Sequence, residues 1–321
     1  MNAEISVVVE WENAILAEDS REDRMLGNLV RQIGDLDKAV EVVVLFNPDL
    51  IDESALRRKL DQTLGVGTEK HGCVLKVVGT RGRHYFDLKN EGGRLANGQL
   101  VVFIDSDVVP EEGWLNEMVR PFFADADVKV IAGSSYIEPN DLYSKAFALG
   151  WFFPLRNNEV LVHDQRQKLW GNNVAFRKDV FMRFPFPEMP QGATRGAGIL
   201  LAEQLRNARI TIWTSTGARV AHPAPNGFAH FYKRAMAQGR DYCLRNRGGA
   251  ISGLGKLFFD YYFKKVKKVV KRTARQHKAV DLPTWQTPLA VLIMLGYYTF
   301  GLVGGVITLS MPRYAKSSWR I

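Results

Sequence analysis

The stretch Leu100-Val101-Val102-Phe103-Ile104-Asp105-Ser106-Asp107 decides the fold. Five apolar residues in a row read as a strand buried on both faces, the pattern of a parallel sheet covered by helices. Two acids follow at i and i+2, where the strand would end. Carboxylates at the mouth of a buried strand are costly unless something pairs with them. Open α/β sheets place their ligands at that mouth, and a hard divalent cation takes carboxylate and phosphate oxygens together. The two acids therefore point to a metal shared with a diphosphate. The alternative is a pair of solvated acids capping the next helix, expected over residues 111–119.

Upstream of this stretch, residues 5–9, 40–46 and 74–78 read as strands, and 23–33, 53–64 and 87–97 as helices. Strands alternating with helices imply parallel βαβ units. Downstream the pattern is less regular. A strand is expected over 128–136, an aromatic-rich segment over 143–155, and a loop entering a strand over 170–177. A helix follows over 199–208, then two short strands over 210–213 and 219–222, then a helix over 228–246.

The chain has 321 residues, enough for a large core with an appendage. Its two cysteines, Cys73 and Cys243, are too few for a disulfide framework and suit a reducing compartment. Glu4 leads at once into the first strand, with no secretory signal before it. The net charge is +9, but residues 256–278 hold nine Lys/Arg against one acid, Asp260. The rest of the chain is close to neutral, which argues against a nucleic-acid-coating surface and excludes nucleic acid as the expected partner.

That basic segment carries Phe259, Tyr262, Phe263, Val266, Val269 and Val270 at three- and four-residue spacing, the pattern of a basic amphipathic helix. Residues 289–311 then run without a charge for about the length that crosses a bilayer's hydrocarbon core. The expectation is a catalytic domain over 1–250 and a membrane-associated tail over 251–321. In that tail Phe259, Tyr262, Phe263, Val266 and Val269 would lie in the interface and 289–311 would enter the bilayer, with the lysines on the cytoplasmic face of the cell membrane.

The order of pieces resembles family 2 glycosyltransferases with the GT-A (nucleotide-diphospho-sugar transferase) fold. The likeness covers about two thirds of the chain. Ser6-Val7-Val8-Val9 with Asn13 resembles the family's opening strand, and Lys89-Asn90-Glu91-Gly92 the basic stretch before the metal strand. Val102 to Asp107 matches its D-x-D segment. Gly171 to Phe181 resembles its glycine-opened acceptor-side strand, and Leu205-Arg206-Asn207-Ala208 with Arg219-Val220-Ala221-His222 its late helix and terminal His. The resemblance implies an α/β GT-A fold with a mostly parallel central sheet and flanking helices; the basic amphipathic helix and the hydrophobic membrane helix read from the residues themselves would follow it. It also implies transfer of a sugar from a nucleotide-diphosphate donor to a glycan or lipid-linked acceptor, with inversion at the anomeric carbon.

The same resemblance assigns roles. Asp107 and His222 would hold Mn2+ or Mg2+. Asp105 would serve the ribose or reach the metal through water. Lys89 and Asn90 lie where the family's donor contacts fall. Trp11 either stacks on the base in place of the usual Tyr or is a core tryptophan. Glu10 or Asp49 would accept a hydrogen bond from base or ribose, against an ordinary solvated turn acid for Asp49. Asn172 and Asn173 lie on the acceptor side. Apart from the resemblance, Arg195 beside Gly196 either holds an anionic acceptor or is an ordinary surface arginine.

Three departures matter. Glu10-Trp11-Glu12-Asn13 replaces Pro-Thr-Tyr-Asn after strand one. Phe46-Asn47 occupies the place of adjacent acids after strand two. Ala197-Gly198 stands where the family's Glu-Asp pair supplies the base that deprotonates the acceptor. Glycine cannot take a proton, so another carboxylate, Glu188 or Asp164, is expected to serve, with Glu203 behind them. Otherwise the chain is a non-catalytic relative that binds nucleotide sugar within an envelope-assembly complex. A nucleotidyltransferase on a similar fold ranks last, because strand one leads into no glycine-rich phosphate loop.

Overall fold

The computed structural model describes residues 3–17, 20–65, 73–83, 85–156, 169–189, 193, 195–246, 250–317 and 319. An eight-stranded sheet organises the first part of the chain. Its strands are β1 (Ile5–Glu10), β2 (Val40–Phe46), β3 (Val74–Gly79), β4 (Leu100–Asp105), β5 (Val109–Pro110), β6 (Val130–Ile137), β7 (Asn173–Arg177) and β8 (Ile212–His222), in the order β3-β2-β1-β4-β7-β6-β8-β5. β3, β2, β1 and β4 run parallel, and β7 returns antiparallel to β4.

The continuous apolar runs arise because both faces of β1, β2 and β4 are covered: every residue of all three is buried. On one face, Val7, Val9, Val42, Val44, Val102 and Ile104 join Met25, Leu26, Leu29, Trp114, Leu115 and Met118 in one core. Those partners come from α1 (Arg21–Gly34) and α4 (Trp114–Ala124). The other face carries α3 (Tyr85–Leu95), whose Gly92 backbone lies so close that a Cβ there would meet Val8 at 2.4 Å and Leu45 at 2.6 Å. The glycine after Lys89-Asn90 thus has a packing reason: only a bare backbone fits over the strands. α2 (Glu53–Leu60) is capped at its start by Asp52, which accepts from the Ser54 and Ala55 amides.

Two expected short strands merge into one, β8, which runs eleven residues from Ile212 to His222. Thr214-Ser215-Thr216-Gly217 reads as a loop by composition, yet Thr214, Ser215 and Thr216 are buried. A Cβ on Gly217 would lie 2.9 Å from the Glu117 carboxylate. The small polar residues let the strand continue beneath α4.

By contact the chain divides into two compact units. The first gathers Met1–Ser135, Arg156–Pro187 and Ala197–His222, including α6 (Lys178–Arg183) and α7 (Ala197–Asn207). The second gathers Tyr136–Leu155, Glu188–Gly196 and Pro223–Ile321. Residues beyond 250, read from sequence as a tail, lie in this second unit together with earlier segments. The second unit is helical: α5 (Leu142–Gly150), α8 (Gly227–Arg245), α9 (Ala250–Lys256), a π-helical turn (Leu257–Phe263), α10 (Lys264–Gln276), α11 (Thr287–Ser310) and α12 (Pro312–Ser317).

α11 packs against α8 through glycines. A Cβ on Gly239 would fall 1.7 Å from the Gly301 carbonyl oxygen, and one on Gly304 would fall 2.3 Å from that of Met236. α5 joins them at Gly150, where the Tyr298 hydroxyl donates to the Gly150 carbonyl at 2.9 Å. Phe147, Trp151, Phe231 and Tyr297 stack edge to face between these helices. α10 turns Val269 and Thr273 inward, and its Arg272 donates to the Phe153 carbonyl at 3.0 Å.

Candidate active site

The site is built at the C-terminal ends of β1 and β4. Parallel register sets Glu10 beside Asp105, so two carboxylates meet where both strands stop. Both side chains are buried. The Asn13 amide donates to each, at 2.9 Å to Glu10 and 3.2 Å to Asp105. The Glu12 backbone amide also donates to Glu10.

α3 supplies the balancing charge. Tyr85 and Lys89 lie four residues apart on one helix face, so both reach the same point. Lys89 Nζ lies 2.5 Å from Asp105 Oδ1, with Lys89 fully out of solvent. The Tyr85 hydroxyl donates to Asp105 Oδ2 at 2.7 Å, and Lys89 Nζ stands 4.8 Å from the Tyr85 ring centroid. Glu12 in turn accepts from the Tyr85 backbone amide at 3.0 Å, a carboxylate at a helix N-terminus.

Electrostatics follow the crowding. Burial, and then the charge of Asp105, hold the Glu10 carboxyl well above the usual glutamate range; Lys89 opposes this only in part. Burial and the same acids push the Tyr85 phenol up. Tyr85 therefore stays a neutral donor, and Glu10 is poised to hold a proton.

Asp107 takes a different position. After β4 the chain turns, with the Ser106 amide donating to the Glu10 carbonyl at 3.0 Å. It then enters β5, whose Val109 pairs antiparallel with Ala221 of β8. Arg21, at the start of α1 and buried, ties the two together. Its Nε donates to the Asp107 carbonyl at 2.6 Å, and its Nη2 to the Ala221 carbonyl at 2.7 Å. His222 follows Ala221, so the end of β8 sets His222 next in register to the turn that carries Asp107. Each is largely buried, at 7% exposure for Asp107 and 9% for His222.

Asp107 and His222 supply a carboxylate and an imidazole, donor types that a divalent cation accepts. No cluster of three or more His, Cys, Asp and Glu gathers among the described residues. A carboxylate and an imidazole leave most coordination positions to diphosphate oxygens and water, the way Mg2+ and Mn2+ are commonly held.

The remaining sequence candidates separate. Trp11 is 5% exposed and packs in the core with the α1 residues. Asn90 clamps the chain after α6, donating to the Phe186 carbonyl at 2.8 Å and accepting from its amide at 2.9 Å. Asn173 is fully buried. Its amide bridges Trp114 Nε1 at 2.8 Å and the Ala218 carbonyl at 2.9 Å, and Asn172 accepts from Ser135 Oγ at 3.2 Å. Asp49 is half exposed at the edge of β2, 3.8 Å from Arg81. Glu188 is exposed, and Arg195 offers its carbonyl to Arg245 at 2.6 Å; both belong to the second unit. Asp164 lies outside the described residues.

Sequence reading missed Arg21 and Tyr85. Tyr85 carried a signal, four residues before Lys89. Arg21 carried none, because the carbonyls of Asp107 and Ala221 that it holds lie far along the chain.

The profile described as Glycosyl transferase family 2 matches residues 23–184. The chain belongs to this family. The match spans α1 to α6 and includes Lys89, Asp105 and Asp107; Glu10 and His222 lie outside it. Among solved structures, the fold is similar to the mannosyltransferase PcManGT from Pyrobaculum calidifontis in complex with GDP-Man and Mn2+. That similarity has a TM-score of 0.54 at 16% identity and covers 98% of this chain and 88% of that one. S. aureus TarS 1-349 in complex with UDP-GlcNAc aligns with a TM-score of 0.49 at 12% identity, over 97% of this chain and 92% of that one. No curated protein matches the sequence. The α/β GT-A fold expected from the motifs is the fold observed.

Gly198, which the resemblance sets at the place of the family's acid pair, lies outside the matched residues, and its packing leaves little room. Gly198, in the first turn of α7, is buried against Leu169; a Cβ there would lie 2.6 Å from the Leu169 carbonyl oxygen. A side chain at this position would have to displace the Leu169 backbone.

Proposed function

We propose that this glycosyltransferase moves a sugar from a nucleotide-diphosphate donor to a lipid-linked or envelope-polysaccharide glycan at the cytoplasmic face of the cell membrane, inverting the anomeric carbon. The observation that carries the reading is Asp107 at the mouth of β4 with the His222 end of β8 held beside it. A divalent cation resting on these two would stabilise the charge that develops on the leaving diphosphate.

The chain's own groups do the rest. Lys89 holds Asp105 in place at 2.5 Å, so that its Oδ2 edge, shared with Tyr85 and Asn13, can take a ribose hydroxyl. Glu10, able to hold a proton, can donate to a carbonyl of the base or accept from one of its N–H groups. Arg21 holds the Asp107 turn against β8, so the diphosphate end of the donor meets a fixed backbone. Glu188 is the proposed general base, with Asp164 as its substitute, and Arg195 and Asn172 remain proposed acceptor contacts.

Titration calorimetry of UDP and GDP against the full chain, with and without Mn2+, tests the donor half. Binding should need the metal, and Asp107→Ala should abolish it. Affinity unchanged by EDTA and by the substitution rejects the site. Glu188→Gln should slow transfer by about 10²–10⁴ with donor binding intact; near-normal turnover removes Glu188 from the mechanism. The closed Gly198 position favours a second reading, a nucleotide-sugar-binding relative without transfer. Absence of donor hydrolysis in a metal-loaded, nucleotide-binding protein would select it.

A further inference from the structure

α11 has one covered face and one open face, and both are apolar. Ala290, Met294, Tyr297, Tyr298, Gly301, Gly304, Gly305 and Thr308 are buried at three- and four-residue steps. Opposite them Leu289, Leu292, Val303 and Val306 stand 39–59% exposed. No charged residue occurs from 287 to 312. A long open stripe of leucine and valine on a well-packed helix marks a partner of like chemistry.

The segment leading through the π-helical turn into α10 carries three stripes. Leu257, Tyr261, Val269 and Thr273 turn inward. Phe259, Phe263 and Val270 stand open at 63%, 55% and 48%, and half-buried Val266 completes their line at steps of four, three and four. Alongside runs an exposed basic line of Lys264, Lys267, Lys268, Lys271, Arg275 and Lys278. Val269, expected in the interface from its spacing, belongs to the covered stripe, and Val270 takes its place. The Tyr262 hydroxyl lies 3.3 Å from Thr299 Oγ1, on the open side of α11. The aromatic line and the open face of α11 therefore border one another.

We infer that this side of the helical unit docks in the plane of an anionic lipid surface, with α11 lying in one leaflet and not crossing. The inference deepens the membrane part of the proposed function and is independent of the sugar chemistry. Charge complementarity selects the occupant. Apolar side chains at acyl depth beside a continuous lysine line suit a bilayer with anionic headgroups; a second copy of the chain would bring another lysine line against the first. Crossing is disfavoured by packing. α11 is long and apolar enough to cross by length and composition, but α8 covers it through the Gly239–Gly301 and Met236–Gly304 contacts. α8 carries Lys233, Arg234, Arg240, Asp241 and Arg245. A crossing α11 would carry those ionisable groups into hydrocarbon.

The test uses the purified full chain with sealed vesicles of phosphatidylcholine alone or with phosphatidylglycerol. Flotation should require phosphatidylglycerol. It should weaken at least tenfold in Lys267→Glu/Lys271→Glu and in Leu292→Asp/Val303→Asp, with circular dichroism unchanged. Brominated lipids should quench Trp285, 72% exposed at the head of α11, in the unaltered protein, and Trp285→Phe should remove that signal. For topology, single cysteines at Lys278 and Arg313, in a chain with Cys73 and Cys243 replaced by serine, meet an impermeant maleimide from outside. Labelling of both ends supports the in-plane mode, and labelling of one end alone overturns it in favour of a span. No flotation, with a dimer on gel filtration that Leu292→Asp/Val303→Asp dissolves, overturns it in favour of a second copy. Nucleotide binding measured on the same preparations tells a failed membrane reading from a failed transferase reading.

Discussion

Lys89 Nζ lies 2.5 Å from Asp105 Oδ1 with both side chains shut away from water, at 0% and 4% exposure. The first acid of the D-x-D segment is therefore committed to a lysine of the chain itself, and Asp107 lies in the turn that leads into β5 and its pairing with β8. A buried ion pair is weak evidence of net stability, but removing one partner strands the other. Lys89→Met should destabilise the protein by about 3–5 kcal/mol. Lys89→Met/Asp105→Asn should recover much of that loss, because no charge is left uncompensated. Urea denaturation of the two single variants and the double variant measures the coupling. Additive losses would show that the pair is not the source.

Glu10 gives a pH-dependent prediction. Its folded pKa is raised, first by burial and then by Asp105, so the native state binds a proton more tightly than the unfolded chain. The stability from that proton is fully present below the ordinary glutamate range, near 4.3. It is lost as pH rises through the raised native value. Glu10→Gln keeps the shape and removes the titration. Relative to the unaltered protein, its Tm should rise as pH increases across that window and level off above it. A pH-independent difference would mean that Glu10 titrates normally.

Arg21 should act on ligand affinity through the backbone. Two of its hydrogen bonds go to carbonyls, of Asp107 and Ala221, and charged hydrogen bonds are worth about 1.5–3 kcal/mol. Arg21→Met should lower stability by about that amount and weaken metal-dependent UDP or GDP binding at least tenfold. Arg21→Lys should recover part of each. Unchanged affinity alongside reduced stability would confine Arg21 to the fold.

The residues that read well from sequence are those whose environment is uniform along the element. β1, β2 and β4 are buried on both faces, so their apolar runs are unbroken, and α1 and α3 fall within two residues of their expected positions. β8 escaped as one strand because Thr214 to Gly217 are small and polar yet buried under α4. Lys89 was recognised as a site residue, but its partner was not: burial of a lysine against Asp105 depends on where α3 crosses the strands. The choice between Val269 and Val270 is of the same kind. Either satisfies a helical period, and only the packing of α10 decides which faces the protein.

Gly198 tests whether the missing acid is an accident of sequence or a property of the fold. The position opens α7, where the sequence resemblance sets the family's base, and a carboxylate could be introduced there by one substitution. The geometry argues against recovery. A Cβ at Gly198 would stand 2.6 Å from the Leu169 carbonyl and 3.3 Å from its side chain, and a backbone oxygen yields less readily than a flexible side-chain tip. Gly198→Glu should therefore lower stability by about 1–3 kcal/mol, the usual cost of overpacking. It should leave transfer no faster, even though glutamate favours the helix over glycine by a fraction of a kcal/mol. The comparison variant is Gly198→Ala, which adds the Cβ without the carboxylate and should lose nearly the same stability. Thermal unfolding of both, beside donor turnover with saturating metal, reads the two effects separately. A stable Gly198→Glu protein with faster transfer would show that α7 can admit an acid there, and would return the general base to the place where the family keeps it.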